Sequence, residues 1–326
     1  MTSPFQPCSG VTPPESAYTH RACPACGASS LSTDVVRSPA QAEYIRFEEL
    51  LNLWDTDIFT PKGYFTYHRC AECGLLYAPV YPSDAQLGRL YGAMSPNMSE
   101  LPLDSMRSTQ RGYFRTALSH TPPSGGAILE IGPDQGILAA QMAQSSPLSP
   151  SHFWFIEPNL AVHDPLRAAV SPVPSTVLSD LNDFTPIPSG TASLAFMIHV
   201  LDHLTNPIHH LEELFRCLQP GGILSIVVHN ERSLLAKFFG PNHPIYCPYH
   251  PQLFNPATLS AIVSKAGFQV LSVTPTTNHY PLTYLLKNAL FRLFGTNLPV
   301  PSLSWLQFPV PLGNIQITAR KSLSRT

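Results

Sequence analysis

The chain has 326 residues, 44% of them apolar and 12% charged, with a net charge of −2. That apolar share can close a core, which excludes a disordered chain, and the length suits one large domain plus a small one. Residues 1–100 hold six Lys or Arg against ten Asp or Glu; with no basic patch to neutralise phosphates, a nucleic-acid partner is not expected and a small-molecule substrate is.

Residues 1–20, rich in Pro, Ser and Thr, read as a loose tail. The opening MTSPFQPCSG has neither a basic nor an apolar signal region, and no apolar run approaches the ~20 residues of a membrane span. A cytoplasmic location is the expectation.

Seven cysteines follow in a telling arrangement. Cys23/Cys26 and Cys70/Cys73 form two Cys-x-x-Cys-Gly knuckles, while Cys8, Cys217 and Cys247 stand alone. Paired spacing with an odd total suits a metal site in a reducing compartment. Four thiolates suit tetrahedral Zn²⁺ and leave no position open for catalysis, so the zinc is expected to be structural. The 43 residues between the knuckles exceed the usual ribbon spacing, and a helix around Tyr44 to Trp54 is expected to fill them. Residues 21–80 are therefore read as a zinc-binding module and 81–125 as a helical connector, with Leu87, Leu90 and Tyr91 on one face and Tyr113, Phe114, Ala117 and Leu118 on another.

From 126 to the end, strand and helix patterns alternate. Strands are expected at 127–131, 152–157, 175–179, 193–199, 223–229 and 268–274. One helix presents Ile208, Leu211, Leu214, Phe215 and Leu218 and ends at Pro220-Gly221-Gly222; another opens on Asn255 and Pro256 and closes at Gly267. Such alternation implies a parallel sheet covered by helices on both faces. The final alternating run, 314–321, has no helix after it and is expected to pair antiparallel at or near a sheet edge.

The segment 128–139 is a strand, a glycine turn and a helix start, where Gly132 and Gly136 let the backbone turn beneath a ligand. Glu157 ends the next strand and can accept from both hydroxyls of a ribose; Asp180 ends the third and can accept from an adenine amino group.

These residues resemble class I S-adenosylmethionine-dependent methyltransferases. Glu130-Ile131-Gly132 is similar to their E-x-G-x-G-x-G signature, Ile156-Glu157-Pro158-Asn159 to their second motif and Asp180 to their third. His199-Val200-Leu201-Asp202-His203 resembles their H-V-L-E-H stretch and Leu218 to Gly222 their L-x-P-G-G turn. Asp134 stands at the signature's middle glycine. The resemblance implies an α/β, Rossmann-like seven-stranded sheet, mostly parallel with the last strand antiparallel, beside a small N-terminal zinc ribbon. It implies a cofactor site of Glu130, Gly132, Asp134, Gly136, Glu157, Asp180 and His199, with the two glycines on the methionine moiety, Glu157 on ribose and Asp180 on adenine. A nicotinamide dehydrogenase, the nearest rival, needs G-x-G-x-x-G, which Gly132-Pro133-Asp134-Gln135-Gly136 does not supply.

The stretch from Tyr67 to Tyr77 resembles the second knuckle of zinc ribbons fused to small-molecule methyltransferases, some acting on carbon in nucleotide sugars. Residues 249–255 are similar to the E-H-x-x-x-F-S stretch of those enzymes, with His250 at the histidine and Tyr249 in place of the glutamate. His250 is thus the expected general base, a neutral imidazole near its ordinary pKa of ~6.5, with His203 next. His199, Asp202 and His203 would share a helix face able to hold a divalent metal, as in ubiquinone-type O-methyltransferases; support of the cofactor loop is the expected role. A catalytically inactive cofactor-binding protein and an RNA methyltransferase using the zinc module are the alternatives. The apolar face Leu282, Leu285, Leu286, Ala289, Leu290 and Leu293 is read as a lid or plain packing, with a homodimer surface or membrane-surface helix as the other options.

Overall fold

The computed structural model describes residues 18–38, 41–54, 63–92, 101–294, 299–303 and 305–322. Cys8, most of the expected tail and parts of the 280–310 segment lie outside them.

Seven strands form the main sheet: β1 (Ala127–Ile131), β2 (Phe153–Ile156), β3 (Ser175–Leu178), β4 (Ala192–Ile198), β5 (Leu218–His229), β6 (Phe268–Pro275) and β7 (Asn314–Lys321). Their order is β6-β7-β5-β4-β1-β2-β3. β1, β2, β3, β4 and β5 pair in parallel, while β7 runs antiparallel to both β5 and β6. The last strand is therefore one place in from the edge. The order reverses at β1, beside β4, and in such sheets ligands bind beyond the carboxyl ends of the strands at that point.

Alternation along each strand feeds two cores. Ile128, Leu194, Phe196, Phe153 and Phe155 pack with Leu138, Met142 and Leu166 on one face. Leu129, Ile131, Ala195, Met197, Leu224 and Ile226 pack with Leu211, Leu214, Leu259 and Ile262 on the other. All five residues of β1 are buried, as a parallel strand covered on both faces requires. The helix Pro207–Cys217 starts at Asn206, whose side chain accepts from the His209 N–H. The helix Pro256–Lys265 starts in a capping box between Asn255 and Thr258. The expected first residues of β5 shift: Pro220-Gly221-Gly222 lies inside the strand, across a register irregularity between Leu218 and Ile223.

The N-terminal strands Leu31–Val36, Tyr67–Cys70 and Leu76–Tyr77 make a small antiparallel sheet whose fourth strand, Gln252–Leu253, comes from beyond β5. An aromatic core of Trp54, Tyr64, Phe65, Tyr67 and Tyr81 closes over Tyr246 and Leu253. The helix expected between the knuckles is present at Phe47–Leu53. The connector holds two helices, Asp84–Gly92 and Leu103–Leu118. Among the described residues no helix is long and apolar enough to cross a membrane.

Candidate functional site

At the carboxyl end of β1 the chain turns through three positive φ values, 65° at Gly132, 50° at Asp134 and 72° at Gly136. Asp134 keeps the left-handed backbone of the glycine it replaces, a conformation Asp tolerates better than most residues. A Cβ on Gly132 would lie 2.6 Å from Val200 Cγ2, and one on Gly136 2.9 Å from Leu166 Cδ2. The turn after β4 and the helix His163–Val170 thus press directly on this loop.

Glu157, at the end of β2, accepts from the Asp134 N–H at 3.2 Å and the Asn159 N–H at 2.9 Å. These two bonds tie its carboxylate to the loop after β1. Burial, with Asp134 nearby, holds the Glu157 carboxyl above the usual range. Glu130 is 3% exposed, and burial followed by the neighbouring Glu157 pushes its carboxyl up to about 8. Its Oε2 is buried with no hydrogen-bond partner. Two buried carboxyl groups, one with an orphaned oxygen, thus lie beside the glycine cradle. Asp180 is exposed after β3, where its Oδ1 accepts from the Asn182 N–H at 2.8 Å.

The stretch after β4 is a turn: His199 has φ 53° and residues 201–203 form no helix. His199, Asp202 and His203 therefore do not share a helix face, because a positive φ at His199 breaks the helical spacing. Instead, Asp202, fully buried, accepts from His229 Nδ1 at 2.6 Å. Burial would raise the Asp202 carboxyl, but His229 outweighs it and holds it well below the usual range. The rings of His199 and His229 lie 4.6 Å apart, those of His229 and His250 4.8 Å, and those of His250 and His203 4.6 Å. Four imidazoles thus ring one carboxylate beyond β4 and β5.

Within this cluster His250 differs from expectation. It is 3% exposed, and its Nδ1 lies 2.7 Å from the Ile245 carbonyl and 3.0 Å from Cys247 Sγ. Burial lowers its pKa, but Cys247, Asp202 and the Ile245 carbonyl together raise it to about 9. Burial, then His250, pushes His203 down to about 3; burial, then His229, does the same to His199. Sequence reasoning missed His229 because nothing marks a histidine at a strand end; its place at the carboxyl end of β5 was the available signal.

The four knuckle cysteines converge. Cys23 and Cys73 Sγ lie 3.5 Å apart, as do Cys26 and Cys70 Sγ, and all four sulfurs fall within 4.8 Å of one another. Zn–S bonds of about 2.3 Å place tetrahedral sulfurs roughly 3.8 Å apart, so the set fits zinc. Gly27 and Gly74 close the knuckles at φ 83° and 75°. Cys217 and Cys247 are buried elsewhere.

The knuckles also anchor the loop that carries His250. Tyr67 Oη donates to the His250 carbonyl at 2.7 Å and Tyr81 Oη to the Pro248 carbonyl at 2.8 Å. Arg21 reaches the Ala78 and Thr205 carbonyls and Gln252 Oε1. Arg69 pairs with the buried Glu231 at 3.1 Å.

A seven-stranded sheet of this order, with a glycine-turn cradle at its switch point and an acid on the next strand, defines the class I methyltransferase fold. Residues 107–273, just over half of the chain, match the methyltransferase domain family. The chain belongs to that family. It is 28% identical over 85 residues to a probable S-adenosylmethionine-dependent methyltransferase of Mycolicibacterium smegmatis, a match covering 26% of this chain and 32% of that protein. The chain thus spans about a third of that relative's length. A structure of the complex between the Haloferax volcanii Trm112 methyltransferase activator and a protein described as a methyltransferase is similar in fold. Its TM-score is 0.50 at 14% identity, covering 69% of this chain and 94% of that one. The N-methyltransferase NodS of Bradyrhizobium japonicum, solved with S-adenosyl-L-homocysteine, has a TM-score of 0.42 at 12% identity, covering 68% of this chain and 89% of that one.

Proposed function

We propose that the chain transfers a methyl group from S-adenosylmethionine to a small-molecule acceptor. The observation that carries this reading is the Glu157 carboxylate, fixed by the Asp134 and Asn159 N–H groups beside the left-handed turn from Gly132 to Gly136. In this reading Glu157 accepts from the ribose hydroxyls, and the two glycines and Asp134 let the backbone approach the methionine portion. Glu130, whose Oε2 has no partner among the described residues, is read as a further cofactor contact, with Asp180 on adenine and His199 lining the cofactor from β4. The cofactor, when bound, supplies an electrophilic methyl on a sulfonium centre.

The chain's own contribution is alignment first. Holding acceptor and methyl in line is worth up to ~7–11 kcal/mol of barrier, against a factor of ~10²–10⁴ for a positioned base. His203, neutral with a pKa of about 3, is a weak proton acceptor. His250, whose pKa Cys247 and Asp202 raise to about 9, is read as orienting the acceptor or donating to it. Alignment therefore outweighs proton removal here. The acidic balance of residues 1–100 supports a small molecule over RNA as acceptor.

The four cysteines are read as a structural zinc site in a module that holds the loop from Gly240 to His250 against the sheet. The test is transfer of labelled methyl from S-adenosylmethionine into a metabolite extract. Label appearing in a small molecule with wild type, and not with Glu157→Ala, supports the reading; label in RNA, or none, rejects it.

A further inference from the structure

We infer that His199, Asp202 and His229 form a second metal site, for a divalent first-row transition ion, distinct from the cysteine cluster. One ligand atom from each lies within 4.8 Å of the others. Two neutral imidazoles and one carboxylate are the donor set that borderline ions such as Zn²⁺, Fe²⁺ and Co²⁺ take, with open positions left over.

The second observation is a pair of orphaned atoms. Asp202 is fully buried, yet its Oδ1 has no hydrogen-bond partner, and neither has the buried Nδ1 of His199. A buried carboxylate oxygen without a donor is costly, and native structures rarely leave one. The hydrogen bond from His229 Nδ1 to Asp202 Oδ2 at 2.6 Å explains one carboxylate oxygen only. A plain Asp–His dyad would leave the other oxygen and His199 Nδ1 unsatisfied. A cation coordinated by the three residues takes up both.

The surroundings are those of a metal pocket. His199 is held at φ 53° by the turn after β4, and its Nε2 lies 3.4 Å from Asn314 Nδ2, a contact that orients the ring from β7. Second partners of this kind fix ligating histidines. The backbone N–H of His229 also points at Asp202 Oδ2, at 3.3 Å. His203 stacks on Tyr249 at 5.6 Å and is not one of the three ligands. Binding through His229 Nδ1 requires only that its proton move to Nε2, so the residue stays a neutral ligand.

An ion here would sit beyond β4 and β5, where its open positions are available to an oxygen of the acceptor. That role rests on the methyltransferase reading; the site itself does not.

The experiment is calorimetric titration of the purified full chain with Zn²⁺, together with elemental analysis of the same sample before and after, without any methyl donor. The expected result is one equivalent held as purified by the cysteines, and one further equivalent bound on titration. His199→Gln, Asp202→Asn and His229→Gln should each weaken the further equivalent by at least about tenfold, while His209→Ala, a half-buried histidine outside the three ligands, leaves it unchanged. Absence of a further equivalent in the wild type overturns the proposal whatever the variants do, and leaves a metal-free Asp–His dyad. A further equivalent that survives all three variants overturns it as well. Titration of the same protein with S-adenosylhomocysteine separates the two readings. Zinc uptake without S-adenosylhomocysteine binding sinks the methyltransferase reading and keeps the metal site, and the reverse sinks only the metal site.

Discussion

Arg69→Ala isolates the link between the cysteine module and the sheet. Arg69 donates Nη1 to Glu231 Oε1 at 3.1 Å and Nη2 to Glu231 Oε2 at 3.3 Å, a forked pair. It also donates to Asp34 at 2.6 Å and to the Gly74 carbonyl at 2.9 Å, inside the second knuckle. The two side chains are 15% and 4% exposed. Removing one partner of a buried pair costs about 3–5 kcal/mol where the other charge is left uncompensated, but here Arg232 Nε stays 3.3 Å from Glu231 Oε1. Asn255 still donates to Glu231 at 2.7 Å, which puts the expected loss near the lower end of that range. Arg46→Ala, from a pair 76% and 52% exposed, should cost little, because solvent screens the pair. Urea unfolding measures both. Adding Glu231→Gln to Arg69→Ala should recover part of the loss by removing the stranded charge. If Arg69→Ala costs no more than Arg46→Ala, the pair does not carry the docking of the module.

Glu157→Ala should weaken S-adenosylhomocysteine binding by on the order of 10²-fold or more, since hydrogen bonds to a charged group contribute ~1.5–3 kcal/mol each; unchanged calorimetric affinity would refute the ribose assignment. Asp134→Gly should keep that binding and raise stability by up to about 1 kcal/mol, because the ~1–2 kcal/mol of strain relieved at φ 50° exceeds glycine's extra entropy cost; a loss of stability in urea would contradict the strain argument. Glu130 keeps its proton up to about pH 8 in the fold but loses it near 4.5 when unfolded. The folded state therefore holds more protons across that window, and stability should fall by roughly 1.4 kcal/mol per pH unit as pH rises through it. Unfolding curves of Glu130→Gln, compared with wild type at both ends of the window, should lack that contribution. Chelating the metal proposed at the cysteines should abolish amide protection in Leu76–Tyr77 and Gln252–Leu253 together, because those strands pair; hydrogen exchange that changes only around the knuckles would contradict the coupling.

Much of the sheet was legible because its strands are apolar and bounded by turns. The run at 127–131 is the strand observed, and Asn255-Pro256 and Gly267 bracket the helix Pro256–Lys265 as capping chemistry dictates. The cysteine spacing foretold a four-sulfur cluster because a knuckle is a local turn. Properties set by distant residues were not legible. The pKa of His250 is raised because Cys247 and Asp202 surround it, and His199 left the helical pattern because the turn after β4 needs a positive φ. His229 and Asp202 lie 27 residues apart, and only the parallel pairing of β4 with β5 brings them together. The pairing of Leu76–Tyr77 with Gln252–Leu253 likewise has no local signature.

The central claim is that the turn after β1 and Glu157 bind S-adenosylmethionine. Calorimetric titration of the purified full chain with S-adenosylhomocysteine, with NAD as the control ligand, tests it most directly. The account predicts one saturable equivalent of S-adenosylhomocysteine and no heat from NAD. No binding of S-adenosylhomocysteine, or saturable binding of NAD in its place, would contradict it.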